Sequence, residues 1–198
     1  MEAFSCRSGP VLLADFQCCC TRSRNKFAIA VEEALRNMTE NKPKRQWIGL
    51  IVFVVLCFTA AWLGSSVTTP KIGSWYASLT KPSFNPPNWI FGPVWSALYL
   101  SMAVAAWLVW RQKGWNDAKG PLSLFGIQLG LNIGWSWIFF GMENPAFAFV
   151  EILLLWAVIT ATMLAFWRRS LFAGMLFVPY IAWVTFAAVL NCAIWHLN

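Results

Sequence analysis

The residue types that usually break or make bonds are sparse in this sequence. The single histidine, His196, stands almost at the C-terminal end, and Glu151, a carboxylate inside an apolar run, has no histidine or cysteine at a recognisable spacing. Glu151 is expected to snorkel to the nearest membrane interface. Cys57 and Cys192 lie in apolar runs, while Cys6, Cys18, Cys19 and Cys20 crowd a polar tail, so no metal-ligating set is expected. Gly-rich phosphate loops are absent too. What remains is aromatic stacking and amide or indole hydrogen bonding. At about 100° per residue, Gln128, Asn132, Trp135 and Phe139 fall on one side of a helix, opposite Gly126, Gly130 and Gly134. Trp95, Leu98, Tyr99, Met102 and Ala106 form a second stripe, and Trp183, Ala187, Leu190, Asn191 and Ile194 a third, beginning at Pro179-Tyr180. Such stripes suit a flat, hydrophobic ligand, held by stacking and oriented by N–H groups. The alternative, polar side chains that simply bond from helix to helix, stays open at this point.

The elements that carry these stripes follow from composition. The 198 residues are 59% hydrophobic and only 12% charged, against about 25% charged in soluble domains, which places the chain in the membrane class. Five apolar stretches, at about 47–66, 91–110, 121–141, 146–167 and 172–195, are each long enough to cross a hydrocarbon core. The expected fold is therefore all-α: an integral membrane bundle of five transmembrane helices over residues 47–198. Between the first two stretches, Pro70 to Pro93 contains five prolines and reads as a long, broken and functional loop.

The net charge of +7 belongs to the membrane rather than to nucleic acid, because the basic residues flank apolar runs instead of forming one patch. Lys42, Lys44, Arg45, Arg111, Lys113, Lys119, Arg168 and Arg169 fall on one side, and Lys71 and Lys81 on the other. The positive-inside rule then predicts an inside N-terminus and an outside C-terminus. The Gly126, Gly130 and Gly134 ridge permits close helix approach and is expected to form a homodimer interface through the third helix.

Residues 1–46 differ from the rest, holding more than half of the 15 basic residues and the Cys18–Cys20 run. They read as a poorly ordered or targeting extension. Arg7, Arg22, Arg24 and Lys26 resemble a transit peptide, which Glu32, Glu33 and Glu40 spoil, and Met38 offers an alternative start just before the first span. The bacterial inner membrane and an organelle membrane are both compatible with this extension.

Several segments, read in order, resemble one family. Trp75-Tyr76-Ala77-Ser78-Leu79, Lys81 through Trp89, Gly92-Pro93-Val94-Trp95, Leu98-Tyr99, Gln128 to Asn132, Trp135, Phe139-Phe140-Gly141 and Pro179 through Asn191 are similar to the translocator protein family, the tryptophan-rich sensory proteins. The resemblance covers about residues 47–198. It implies a five-helix membrane bundle, often dimeric, that binds porphyrins such as protoporphyrin IX and haem as ligands, with no obligatory cofactor. It also implies a ligand site at Tyr76, Pro86, Trp95, Tyr99, Asn132, Trp135, Trp183 and Ala187. Some members are associated with oxidative porphyrin breakdown, for which Trp95 and Trp183 would be the catalytic candidates. Membrane lipid is an implied partner, and sterol a further one. The sterol-recognition pattern of animal members needs a Tyr followed by Lys or Arg, whereas this chain ends Leu190-Asn191-Cys192-Ala193-Ile194-Trp195-His196-Leu197-Asn198. A porphyrin receptor or carrier is the expected function, with porphyrin degradation or sterol transport as alternatives.

Overall fold

Inside hydrocarbon no water satisfies the backbone, so each apolar run must pair its own N–H and C=O groups, which only a helix achieves within one segment. A computed structural model of the chain describes residues 46–198, and the side chains of 113–116 lie outside that description. The expectations for the Cys18–Cys20 run, Met38 and the basic residues up to Arg45 therefore fall outside the described residues. Within them there is no strand, and five helices are long and apolar enough to span a membrane. These are α1 (Gln46–Ile72), α2 (Asn88–Gln112), α3 (Asp117–Gly141), α4 (Pro145–Trp167) and α5 (Leu171–Leu197).

The first helix runs past the expected boundary near residue 66. Its polar end stays helical because the hydroxyls fold back on the preceding turn: Ser65 donates to the Trp62 carbonyl at 3.0 Å, Ser66 to Leu63 at 2.8 Å and Thr68 to Gly64 at 3.0 Å. Gly49, Phe53, Cys57, Ala60 and Gly64 make a stripe of mostly small residues at helical spacing, and all five are buried. Along this stripe Phe53 meets Trp110 and Phe125 edge-on, and Gly64 faces the Ser136 side chain.

Helical geometry is continuous from Phe91 to Ser136, yet Tyr99 and Asn132 are hydrogen-bonded. A straight helix would separate them by about 50 Å. The chain therefore reverses between Gln112 and Asp117, and α2 and α3 form a hairpin. The third span closes in a π-helical turn, Trp137–Gly141. Asn144 then caps α4 by accepting from the Phe147 N–H at 3.0 Å, with Pro145 preset in the first turn. The α4–α5 turn is tight. Ser170 Oγ caps the next segment, and a methyl group at Gly174 would stand only 2.9 Å from the Trp167 backbone. A second break follows at Leu176–Phe177, before the main part of α5 (Val178–Leu197), which carries Pro179 in its first turn.

Candidate ligand-binding site

Polar groups on a span must find partners on other spans. Gln128 and Asn132 of α3 are both buried. Asn132 Oδ1 accepts from the Tyr99 hydroxyl of α2, and Asn132 Nδ2 donates to the Tyr180 hydroxyl of α5 at 3.0 Å. The Tyr180 hydroxyl in turn donates to Gln128 Oε1 at 2.8 Å, and Gln128 Nε2 reaches Met102 Sδ at 3.5 Å. One connected network thus ties three helices together.

Aromatic rings stand on this polar base. The Trp95 ring lies 5.7 Å from Tyr99 and 6.3 Å from Tyr180, centroid to centroid, so its wall is the outer surface of the network. Trp183, one turn further along α5 from Tyr180, meets Phe91 edge-on at 5.9 Å and Phe186 at 5.5 Å. Trp135 donates to Asn191 Oδ1 at 3.1 Å, and Asn191 Nδ2 donates to the Pro145 carbonyl at 2.8 Å, joining α3, α4 and α5. The other face of Trp135 stacks on Phe139 at 5.0 Å.

The loop between α1 and α2 continues this aromatic series. Its single helical turn, Trp75–Ser78, packs Tyr76 against Phe139 and Phe140 at 6.3 and 5.7 Å. The Tyr76 hydroxyl donates to Asn85 Oδ1 at 2.8 Å, and the Lys81 ammonium lies 4.8 Å from its ring centroid. Burial pushes the Tyr76 phenol above its ordinary value, so it remains a neutral donor across the physiological range. The middle of the loop is strapped by Asn198, whose side-chain amide accepts from the Thr80 N–H at 2.9 Å and donates to the Thr80 carbonyl at 3.0 Å.

Of the residues singled out from the sequence, Trp95, Tyr99 and Asn132 are brought into one cluster, and Tyr76 and Trp135 are joined through Phe139. Ala187 is half-buried against the core shared by α2, α3 and α5. Pro86 is linked to the set only through its carbonyl, which accepts from Asn85 Nδ2 at 3.2 Å. Tyr180 and Asn191 are as central as any expected residue. The signal for them was present, since each is a polar group on the α5 stripe, but its partners on α3 have no local spacing to reveal them.

One expectation about another residue is corrected. Glu151 does not snorkel: both carboxylate oxygens are buried and have no hydrogen-bond partner among the described residues, and Oε1 lies 3.9 Å from where a Gly134 methyl would stand. The carboxyl therefore points inward from α4 towards the Gly134 position of α3. Gly126 and Gly130, by contrast, are exposed, with nothing within 4 Å of an added methyl. The ridge thus has one packed residue and two open ones.

A cavity of about 670 Å³ opens between α4 and α5, lined by Phe149, Leu153, Trp156, Thr185, Val189 and His196 among others. None of the eight expected site residues lines it. The rings of the expected site instead fill their own space by mutual contact.

Residues 53–196 match the TspO/MBR family. The chain is 46% identical over 157 residues to the tryptophan-rich protein TspO of Chlorobaculum tepidum, covering 78% of this chain and 98% of that protein. It is 37% identical over 154 residues to the human translocator protein, covering 77% and 91% of the two chains. The tryptophan-rich sensory protein of Cereibacter sphaeroides is 37% identical over 152 residues, covering 77% and 92%.

Proposed function

The chain belongs to the TspO/MBR family, and from that membership and the aromatic site between α2, α3 and α5 we propose that it is a membrane receptor or carrier for porphyrins such as protoporphyrin IX and haem. The observation that carries this reading is the Trp95 ring backed by Tyr99 and Tyr180, whose hydroxyls are already satisfied by Asn132 and Gln128. With the hydroxyls behind it paired, the Trp95 ring presents a stacking face to a flat ligand without stranding those hydroxyls, and its indole N–H serves as a donor to the ligand. Trp183 supplies the second face, with contacts to Phe91 and Phe186 that a bound macrocycle would replace ring for ring. The strapped loop carrying Tyr76 and Pro86 covers the same end of the bundle. Tetrapyrrole homeostasis or stress signalling is the role such binding serves. Membrane lipid is the surrounding partner. Sterol transport has less support, since the chain's last residues lack the Tyr and basic residue of the recognition pattern.

The open Gly126 and Gly130 positions support a homodimer through α3, and the division of basic residues supports an inside N-terminus and an outside C-terminus. Cysteine-accessibility labelling should find positions 86 and 169 on opposite sides of the membrane; labelling from the same side would refute the five-span topology. Gly130→Leu should reduce the cross-linked dimer and leave porphyrin affinity unchanged, because Gly130 faces away from Asn132 and Trp135. An intact dimer with lost porphyrin binding would reverse the two faces.

Replacing Trp95 or Trp183 by Phe keeps most of the apolar area but removes an indole N–H. Protoporphyrin IX affinity should then fall roughly two- to tenfold, the equivalent of one hydrogen bond of about 0.5–1.5 kcal/mol. At saturating ligand the absorbance decay of bound protoporphyrin IX under light should match in wild type, Trp95→Phe and Trp183→Phe. Decay that collapses in the variants while binding persists would instead establish the enzyme reading, with the two indoles as redox groups.

A further inference from the structure

The two ends of α4 differ in how their cations are used. At the Pro145 end, Lys71 forms a salt bridge with Glu143 at 2.7 Å, and the Lys81 ammonium is held by the Ala77 and Leu79 carbonyls at 3.3 and 3.0 Å. At the Trp167 end, Arg168 and Arg169 are both exposed, and neither guanidinium has an ion pair among the described residues. Their backbone is already committed. The Arg168 N–H donates to the Leu164 carbonyl, Arg169 and Ser170 to Phe166, and Gly174 to Ser170, with bonds of 2.8 to 3.1 Å. Gly174 also packs directly on the Trp167 backbone, which fixes the turn and leaves two rigidly based guanidinium groups.

These two side chains, with Val109, Gln112, Asp117 and Ala118, line a cleft of about 100 Å³ between the α4–α5 turn and the ends of α2 and α3. The neighbouring chain is strongly apolar and outward-facing: Trp167 is 43% exposed, Leu171 53% and Phe172 72%. Because α4 ends at Trp167 and α5 begins at Leu171, the arginines stand at headgroup level. A soluble anion would use only the charges, whereas an amphiphile with an anionic head uses both the charges and the apolar flank.

We propose that the Arg168-Arg169 turn is a binding site for the phosphodiester headgroup of an anionic glycerophospholipid, with Gln112 as an additional donor and the acyl chains lying along Trp167, Leu171 and Phe172. Arginine is suited to this role because its planar fork matches two phosphate oxygens. Among the described residues Asp117 is the one acidic group lining the cleft, and it opposes the anion. Arg111, anchored 4.6 Å over the Trp107 ring, adds positive potential at the same end. The site lies at the Gln112 end of α2, whereas Trp95 stands near its Asn88 end, and it stands whether or not porphyrin binds.

The test is lipid retention by the full chain in mixed micelles, read by native mass spectrometry, with phosphatidylglycerol competing against phosphatidylcholine of the same acyl chains. Each arginine near an anionic lipid is worth on the order of fivefold, so the wild type should prefer phosphatidylglycerol by roughly 30-fold. The double variant Arg168→Gln/Arg169→Gln should lose that preference while its melting temperature in lipid-free detergent is unchanged, and Lys71→Gln should keep it. Asp117→Asn should strengthen retention, which a merely structural role for the arginines would not produce. Preference that persists in the double variant overturns the proposal. Displacement of the lipid by inorganic phosphate at equal concentration also overturns it, as that would define a free-anion site.

Discussion

Four side chains with no access to water govern this bundle. Tyr99, Asn132, Tyr180 and Gln128 come from three spans and bond to one another, with Met102 Sδ as the further partner of Gln128. In hydrocarbon an orphaned hydroxyl or amide finds no solvent substitute, so the network sets the rotation of α2, α3 and α5 about their own axes more narrowly than apolar packing would. Leucine and phenylalanine contacts tolerate sliding, whereas a hydrogen bond does not. Trp95 rests on two members of this network, and the candidate site inherits its geometry from them.

A second tier of contacts extends that order towards the Pro145 end of the molecule. Trp135 packs against both hydrophobic clusters of the bundle and bonds to Asn191, which in turn holds the start of α4. Through Phe139 and Phe140 the same tier reaches Tyr76, and Asn198 fastens the remainder of the loop. The loop therefore closes over a surface that is itself rigid. Glu151 is the exception to this economy of paired groups, a buried carboxyl facing Gly134 with no partner among the described residues.

The helices were legible in the sequence because membrane spans announce themselves by length and hydropathy, and the polar stripe on α3 was legible because 100° per residue is a local property. The extension of α1 to Ile72 was not, since the expected span stopped near Ser66, and the Thr68 hydroxyl that bonds backward to Gly64 lies beyond it. Nor could spacing show that Asn132 meets Tyr99 and Tyr180, which are 33 and 48 residues away along the chain. Glu151 misled for a related reason. A carboxyl two turns into a span is expected to reach for the interface, and its inward orientation towards α3 depends on packing between helices that local spacing does not encode.

One polar network both holds α2, α3 and α5 together and backs the Trp95 wall of the candidate site. A double-mutant cycle on Tyr99→Phe and Asn132→Ala, read as unfolding free energy in micelles and as protoporphyrin IX affinity on the same samples, tests it most directly. The account predicts a stabilising coupling of about 0.6–1.7 kcal/mol between the two residues, with affinity reduced in each single variant and no further in the double. Additive stabilities together with wild-type affinity in all three variants would contradict it.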